Sequence, residues 1–205
     1  MHTKNIQPAG LPLASAKKVL IMLHGRGAGA EDILSLADYL DVADFALLAP
    51  QATNHTWYPY SFMAPPENNE PWLSSALNLL KDLVADVRAQ GIASENIFFL
   101  GFSQGACLTL EFVTRNAQTY GGVVAFTGGL IGDKMYPENY EGDFGHTPFL
   151  ITTGDPDPHV PVGRVEESAR LLKTLQAEVT VEIYPNRPHT ITNEEMEMAN
   201  TLIFK

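Results

Sequence analysis

The chain has 205 residues, 45% of them apolar and 18% charged, with a formal net charge of −11. That is the make-up of a soluble globular protein with enough length to bury a core, and the acidic balance argues against nucleic acid or an anionic membrane surface as partner. The single cysteine, Cys107, excludes an intrachain disulfide, and no apolar run is long enough for a signal peptide or a membrane span, so the expectation is a soluble cytoplasmic protein.

In chain order, Lys18–Leu23 reads as a buried strand ending at His24-Gly25. A helix is expected over Glu31–Leu40, with acids in its first turn and Ile33, Leu36, Ala37 and Leu40 on one face. Phe45–Ala49 reads as a strand closed by Pro50, and Trp72–Gln90 as a helix stopped by Gly91. The apolar run after Asn96 ends in Gly101-Phe102-Ser103-Gln104-Gly105, and a helix pattern follows it at once. Gly122–Phe126 and Phe149–Thr153 are further strands. Val165, Ala169, Leu172 and Leu175 mark a helix, and Thr180–Tyr184 a last strand. Thr192 and Glu195 are spaced as a capping box opening a C-terminal helix. Continuous apolar strands alternating with amphipathic helices predict an α/β fold: one domain over residues 1–205, with a mostly parallel sheet covered on both faces. Two long irregular segments interrupt it, the aromatic stretch Gln51–Pro71 and the glycine-rich stretch Gly128–Pro148.

Ligands bind at the carboxyl ends of the strands in such a sheet, and Ser103 stands at one of them. Its G-x-S-x-G setting between strand and helix is that of a nucleophile elbow. A serine needs a base, and the base needs an orienting acid. Asp155 and Asp157 follow one strand, and His189 follows the last, so the order Ser103, Asp157, His189 is satisfied. His159 is a rival base but lies on the same turn as Asp157 and reads as rim. Asp155, Asp157 and His159 resemble a metal trio on paper only, and neither a metal nor a cofactor is expected. His24 reads as ordering its own loop, and His2, His55 and His146 as facing solvent. Cys107 reads as a small buried residue. An oxyanion hole is expected from the backbone N–H groups of Gln104 and Arg26, with the Gln104 side chain of lesser importance. The Arg26 side chain would hold either a substrate carboxylate or a neighbouring acid. Trp57, Tyr58, Tyr60, Phe62 and Met63 read either as a self-packed surface loop or as the apolar wall of a substrate site.

The stretches LHGRGAGAED (Leu23–Asp32), GFSQGACL (Gly101–Leu108), GDPDPHVP (Gly154–Pro161) and YPNRPH (Tyr184–His189) resemble the phospholipase/carboxylesterase family of α/β-hydrolases, in that family's order. The resemblance implies a compact α/β-hydrolase fold without a large cap domain. It places the acid at Asp157, the base at His189 and the oxyanion donors at Arg26 and Gln104. It also allows a homodimer. The loop reads HGRGA where the thioesterase branch commonly has HGLGD, and the Gly-Met often found before the final histidine is missing. The function expected is a serine carboxylesterase acting on small or medium small-molecule esters, without membrane insertion. A thioesterase or lysophospholipase using the same residues is the alternative. A hydrolase fold that binds without turnover is a more distant one.

Overall fold

A computed structural model describes residues 1–205. Seven strands, β1 (Ile6–Gly10), β2 (Lys18–Leu23), β3 (Phe45–Pro50), β4 (Ile97–Phe102), β5 (Gly122–Phe126), β6 (Pro148–Asp155) and β7 (Glu178–Pro185), form one sheet in the order β1-β3-β2-β4-β5-β6-β7. All neighbours are parallel except β1, which runs antiparallel to β3. Four helices lie between strands, α1 (Ala30–Leu34), α2 (Trp72–Ala89), α3 (Gln104–Arg115) and α4 (Val162–Thr174), and a fifth, α5 (Asn193–Leu202), follows β7.

The alternation of side chains along a strand explains why the central strands are apolar throughout. On β2, Val19, Ile21 and Leu23 face the layer formed by α2, α3 and α4, while Leu20 and Met22 face α1 and α5. On β4, Ile97 and Phe99 join the first layer and Phe98 and Leu100 the second. Both faces of the middle strands are therefore dry, and only the edges and strand ends meet water.

Two features depart from the sequence expectations. The helix expected over Glu31–Leu40 is α-helical only to Leu34 and then tightens into a 3₁₀ segment, Ser35–Tyr39. The tighter turn brings Leu40 and Val42 into the second core layer, where both are buried. Strand β1 was not expected, because IQPAG has no apolar run. It forms at a sheet edge, the position where a proline such as Pro8 is tolerated for want of an N–H. The capping box is as expected: the Glu195 carboxylate accepts from the Thr192 N–H at 2.8 Å, and the Glu195 N–H donates back to Thr192 Oγ1.

Candidate active site

Ser103 sits between β4 and α3 with φ 54° and ψ −118°, a left-handed conformation that a non-glycine residue adopts only under constraint. Its N–H donates to the Phe126 carbonyl at 3.0 Å, and its carbonyl accepts from the Cys107 N–H, so the turn is clamped from both sides. The two flanking glycines have a steric reason. A Cβ on Gly105 would lie 2.2 Å from the Leu23 carbonyl oxygen, and one on Gly101 would lie 2.4 Å from the carbonyl oxygen of Gly105. Without side chains there, α3 starts directly against β2 and β4 and lifts the Ser103 hydroxyl out of the sheet.

The Ser103 hydroxyl lies 2.8 Å from His189 Nε2, and His189 Nδ1 lies 2.8 Å from Asp157 Oδ2. An ionised carboxylate only accepts, so Asp157 fixes the proton on Nδ1 and leaves Nε2 as the acceptor of the serine proton. Asp157 Oδ1 takes the backbone N–H groups of His159 and Val160, both at 2.9 Å. Burial alone would push this carboxyl up, but the hydrogen bonds from His189, His159 and Val160 outweigh it and hold it below the usual carboxylate range. Asp155, the other candidate acid, is exposed and serves its turn through a backbone bond to Asn186.

The loop carrying His189 is anchored by a buried ion pair that the sequence reading did not identify. Arg187 donates to Glu195 Oε2 at 2.5 Å, to the Thr190 carbonyl at 2.6 Å and to Thr127 Oγ1 at 2.8 Å. Glu195 also accepts from Thr152 Oγ1 at 2.5 Å. The pair thus ties β6, the loop after β5 and the first turn of α5 to the two sides of His189. The capping-box spacing was the one available signal, and it marked Glu195 as a helix start, not as the partner of an arginine.

The backbone N–H of Arg26 has no hydrogen-bond partner within the protein, and that of Gln104 is the first of α3, where a helix supplies no acceptor. Arg26 and Gln104 both line a cleft of about 670 Å³, together with Ser103 and His189. Two unpaired N–H donors on one cleft are what an oxyanion site requires.

Their side chains have a task not expected from the sequence. Gln104 is buried; its Oε1 accepts from the Trp57 N–H at 2.9 Å and from Thr56 Oγ1 at 3.2 Å, and its Nε2 donates to the Tyr58 carbonyl at 2.8 Å. The elbow is thereby fastened to the aromatic loop. Replacing Gln104 by Ala leaves the Trp57 N–H and the Tyr58 carbonyl without these partners, and urea denaturation is expected to show a loss of about 1–3 kcal/mol. A loss within error would mean that this loop is held by other contacts.

Of the five residues expected to wall the cleft, Tyr58, Tyr60 and Phe62 line it. Trp57 does not: it is fully buried, drawn inward by an indole N–H bond of 2.9 Å to the His24 carbonyl. Met63 is half-buried against the core and also lies off the cleft. Phe102 and Val160 supply apolar surface that the sequence reading had not placed there. Cys107 reaches the cleft from α3, and burial pushes its thiol up to about 12, so it is no competing nucleophile.

The histidines divide by role. His159 is an exposed rim residue whose ring packs edge-on to that of His189, with centroids 4.9 Å apart. His24 is buried, kept neutral by that burial, and bridges the Gly25 carbonyl to the Ala52 N–H. His55 and His146 are exposed. His2, expected in solvent, is instead half-buried against Trp57 and Trp72, with its ring nitrogens on the Trp57 carbonyl and the Thr53 N–H. Its partners lie some 50 residues and more away along the chain, out of reach of a local reading.

A mostly parallel sheet of this order, with a serine on the elbow after its central strand and an Asp–His pair hydrogen-bonded to it, defines an α/β-hydrolase. The profile of the phospholipase/carboxylesterase family matches residues 10–205, and the chain belongs to that family. It is a carboxylesterase-type hydrolase. The crystal structure of a phospholipase/carboxylesterase from Dyadobacter fermentans is 55% identical in sequence and superposes with a TM-score of 0.98, covering 100% of this chain and 98% of that one. A probable carboxylesterase of Oryza sativa is 26% identical, covering 92% of this chain and 78% of the relative. An acyl-protein thioesterase 1 of Kluyveromyces lactis is 26% identical over 89% of each chain. No helix is long and apolar enough to cross a membrane.

Proposed function

We propose that residues 1–205 form one hydrolase domain that cleaves small or medium carboxylic esters through an acyl-enzyme on Ser103. The carrying observation is the chain of hydrogen bonds from Ser103 Oγ through His189 to Asp157, each 2.8 Å long. Ser103 Oγ attacks the ester carbonyl as its proton passes to His189 Nε2. The carbonyl oxygen, now anionic, takes the N–H groups of Arg26 and Gln104. Asp157 stabilises the imidazolium without taking its proton. His189 then protonates the departing alcohol, and the C–O bond breaks. Water repeats the attack on the acyl-enzyme, giving its proton to His189, and the acid leaves with Ser103 restored. Tyr58, Tyr60 and Phe62 form the apolar wall along which the substrate lies. A fluorophosphonate probe followed by peptide mass mapping tests the assignment: the adduct is expected on Ser103, and an adduct elsewhere rejects it.

A thioester substrate is the second reading, favoured by the likeness to the Kluyveromyces thioesterase. The same serine would attack the thioester carbonyl, and a panel of matched esters and thioesters separates the two.

The lowered carboxyl of Asp157 has a consequence for stability. A carboxylate whose folded-state affinity for protons is depressed stabilises the fold above its unfolded-state pKa of about 3.9 and ceases to do so as pH falls through the lower folded value. The stability gap between the native protein and Asp157→Asn is therefore expected to be full at neutral pH and to close below about pH 4. Urea denaturation of both proteins over that range checks it; a gap that widens on acidification would reverse the sign of the argument.

A further inference from the structure

The mechanism uses Arg26 only through its backbone, yet its side chain is the one permanent cation lining the cleft. The guanidinium is fixed by neutral oxygens: Nη1 donates to Thr56 Oγ1 at 2.9 Å and to the Pro59 carbonyl at 3.0 Å, and Nη2 donates to the Tyr60 carbonyl at 2.8 Å. No carboxylate lies within ion-pair reach of it. The other ionisable residues lining the cleft are Tyr58, Tyr60, Cys107, His159 and His189, and none is an acid. A chain of net charge −11 thus holds an oriented, unneutralised arginine, exposed, in an acid-free cleft. Two guanidinium N–H groups, one on Nη2 and that of Nε, are not used by these bonds. In the proposed mechanism the backbone N–H of the same residue holds the carbonyl oxygen, which puts the charge within one side-chain length of the bond to be cleaved.

From this geometry we infer that the cleft binds esters carrying a free carboxylate, with Arg26 as the anchor for that second, unreacting anionic group. The inference rests on Ser103 being the nucleophile that opens the ester. Guanidinium and carboxylate match as donor fork and double acceptor, and the pair forms where the loop already holds one partner rigid. The local charge also counteracts the repulsion that the protein's overall negative field imposes on an anionic substrate.

The test uses the whole protein, Arg26→Gln and Arg26→Lys, and two ester pairs. Monoethyl glutarate against ethyl pentanoate places the carboxylate on the acyl side; acetoxyacetate against isobutyl acetate places it on the alcohol side. The readout is the ratio of kcat/KM for the charged ester to that for its neutral counterpart. In Arg26→Gln this ratio is expected to fall about tenfold to a hundredfold for at least one pair, with partial recovery in Arg26→Lys. Rising salt should lower the same ratio in the native protein. If both members of each pair slow together and the ratios stay within about twofold, Arg26 is a loop brace and the inference is overturned. Hydrolysis of p-nitrophenyl butyrate that depends on Ser103, with neither charged ester turned over, also overturns it while leaving the esterase reading intact. Calorimetric titration of monoethyl glutarate and of acetoxyacetate, each into Ser103→Ala with and without Arg26→Gln, reads the anchor on either side of the ester without turnover. Binding of either ester lost with the arginine supports it, and equal or absent binding of both esters in both proteins rejects it.

Discussion

Replacing Ser103 by Ala is expected to lower kcat/KM for p-nitrophenyl butyrate by roughly 10⁴- to 10⁶-fold, with little change in stability. The size follows from the division of labour in the site. On the proposed mechanism, removing Oγ abolishes the covalent route, while the N–H groups of Arg26 and Gln104 and the apolar wall stay in place and still favour attack by water, so a residue of catalysis remains. The mutation deletes one atom from a half-buried turn and leaves intact the backbone bonds of residue 103 to Phe126 and Cys107. Its left-handed backbone is no easier for Ala than for Ser, so the fold carries the same strain in both proteins. Steady-state turnover together with a thermal melt separates the two effects. Activity retained within tenfold of the native protein would mean that another group performs the attack.

The largest loss of stability is expected from Glu195→Ala, on the order of 3–5 kcal/mol. The carboxylate has 0% exposure and neutralises Arg187, itself 7% exposed. Taking it away strands the guanidinium in the interior with the Thr190 carbonyl and Thr127 hydroxyl as its remaining partners, and takes the acceptor from Thr152 Oγ1. It also removes the side chain that closes the capping box of α5. Because Arg187 and Thr190 bracket His189, the same change should loosen the base, and the fully folded fraction of the variant is expected to turn over esters more slowly. Glu195→Gln, which keeps acceptor and shape but not charge, should lose less on both counts. Urea unfolding and turnover measured well below the melting temperature test these together. A loss under about 1 kcal/mol would show that the pair is dispensable.

Much of the proposed site was legible along the chain because each residue of the Ser103–His189–Asp157 array follows a strand. In a parallel sheet the strand ends converge on one side, so Ser103, Asp157 and His189 could be ordered from strands and turn residues without knowing a distance. Gly101 and Gly105 were legible as well, since a serine turn packed on two neighbouring elements needs clearance at those positions. The oxyanion donors proposed at Arg26 and Gln104 follow from the same logic.

What the sequence by itself determined, then, is the local and periodic part: the alternation of apolar strands with amphipathic helices, the elbow, the capping box at Thr192, and the placing of Ser103, Asp157 and His189 each after a strand. Only the tertiary structure decided what depends on partners far apart in the chain. Gln104 and Arg26 reach a loop about 30 to 48 residues away, and Arg187 meets Thr127 from 60 residues away. Trp57 turned inward instead of lining the cleft, and His2 left solvent to cover it. A polar side chain's partner is whatever unpaired donor or acceptor the folded core brings next to it, because burial makes an unpaired polar group costly. No hydrophobic period encodes that choice, since it is made only when the loops close over the sheet.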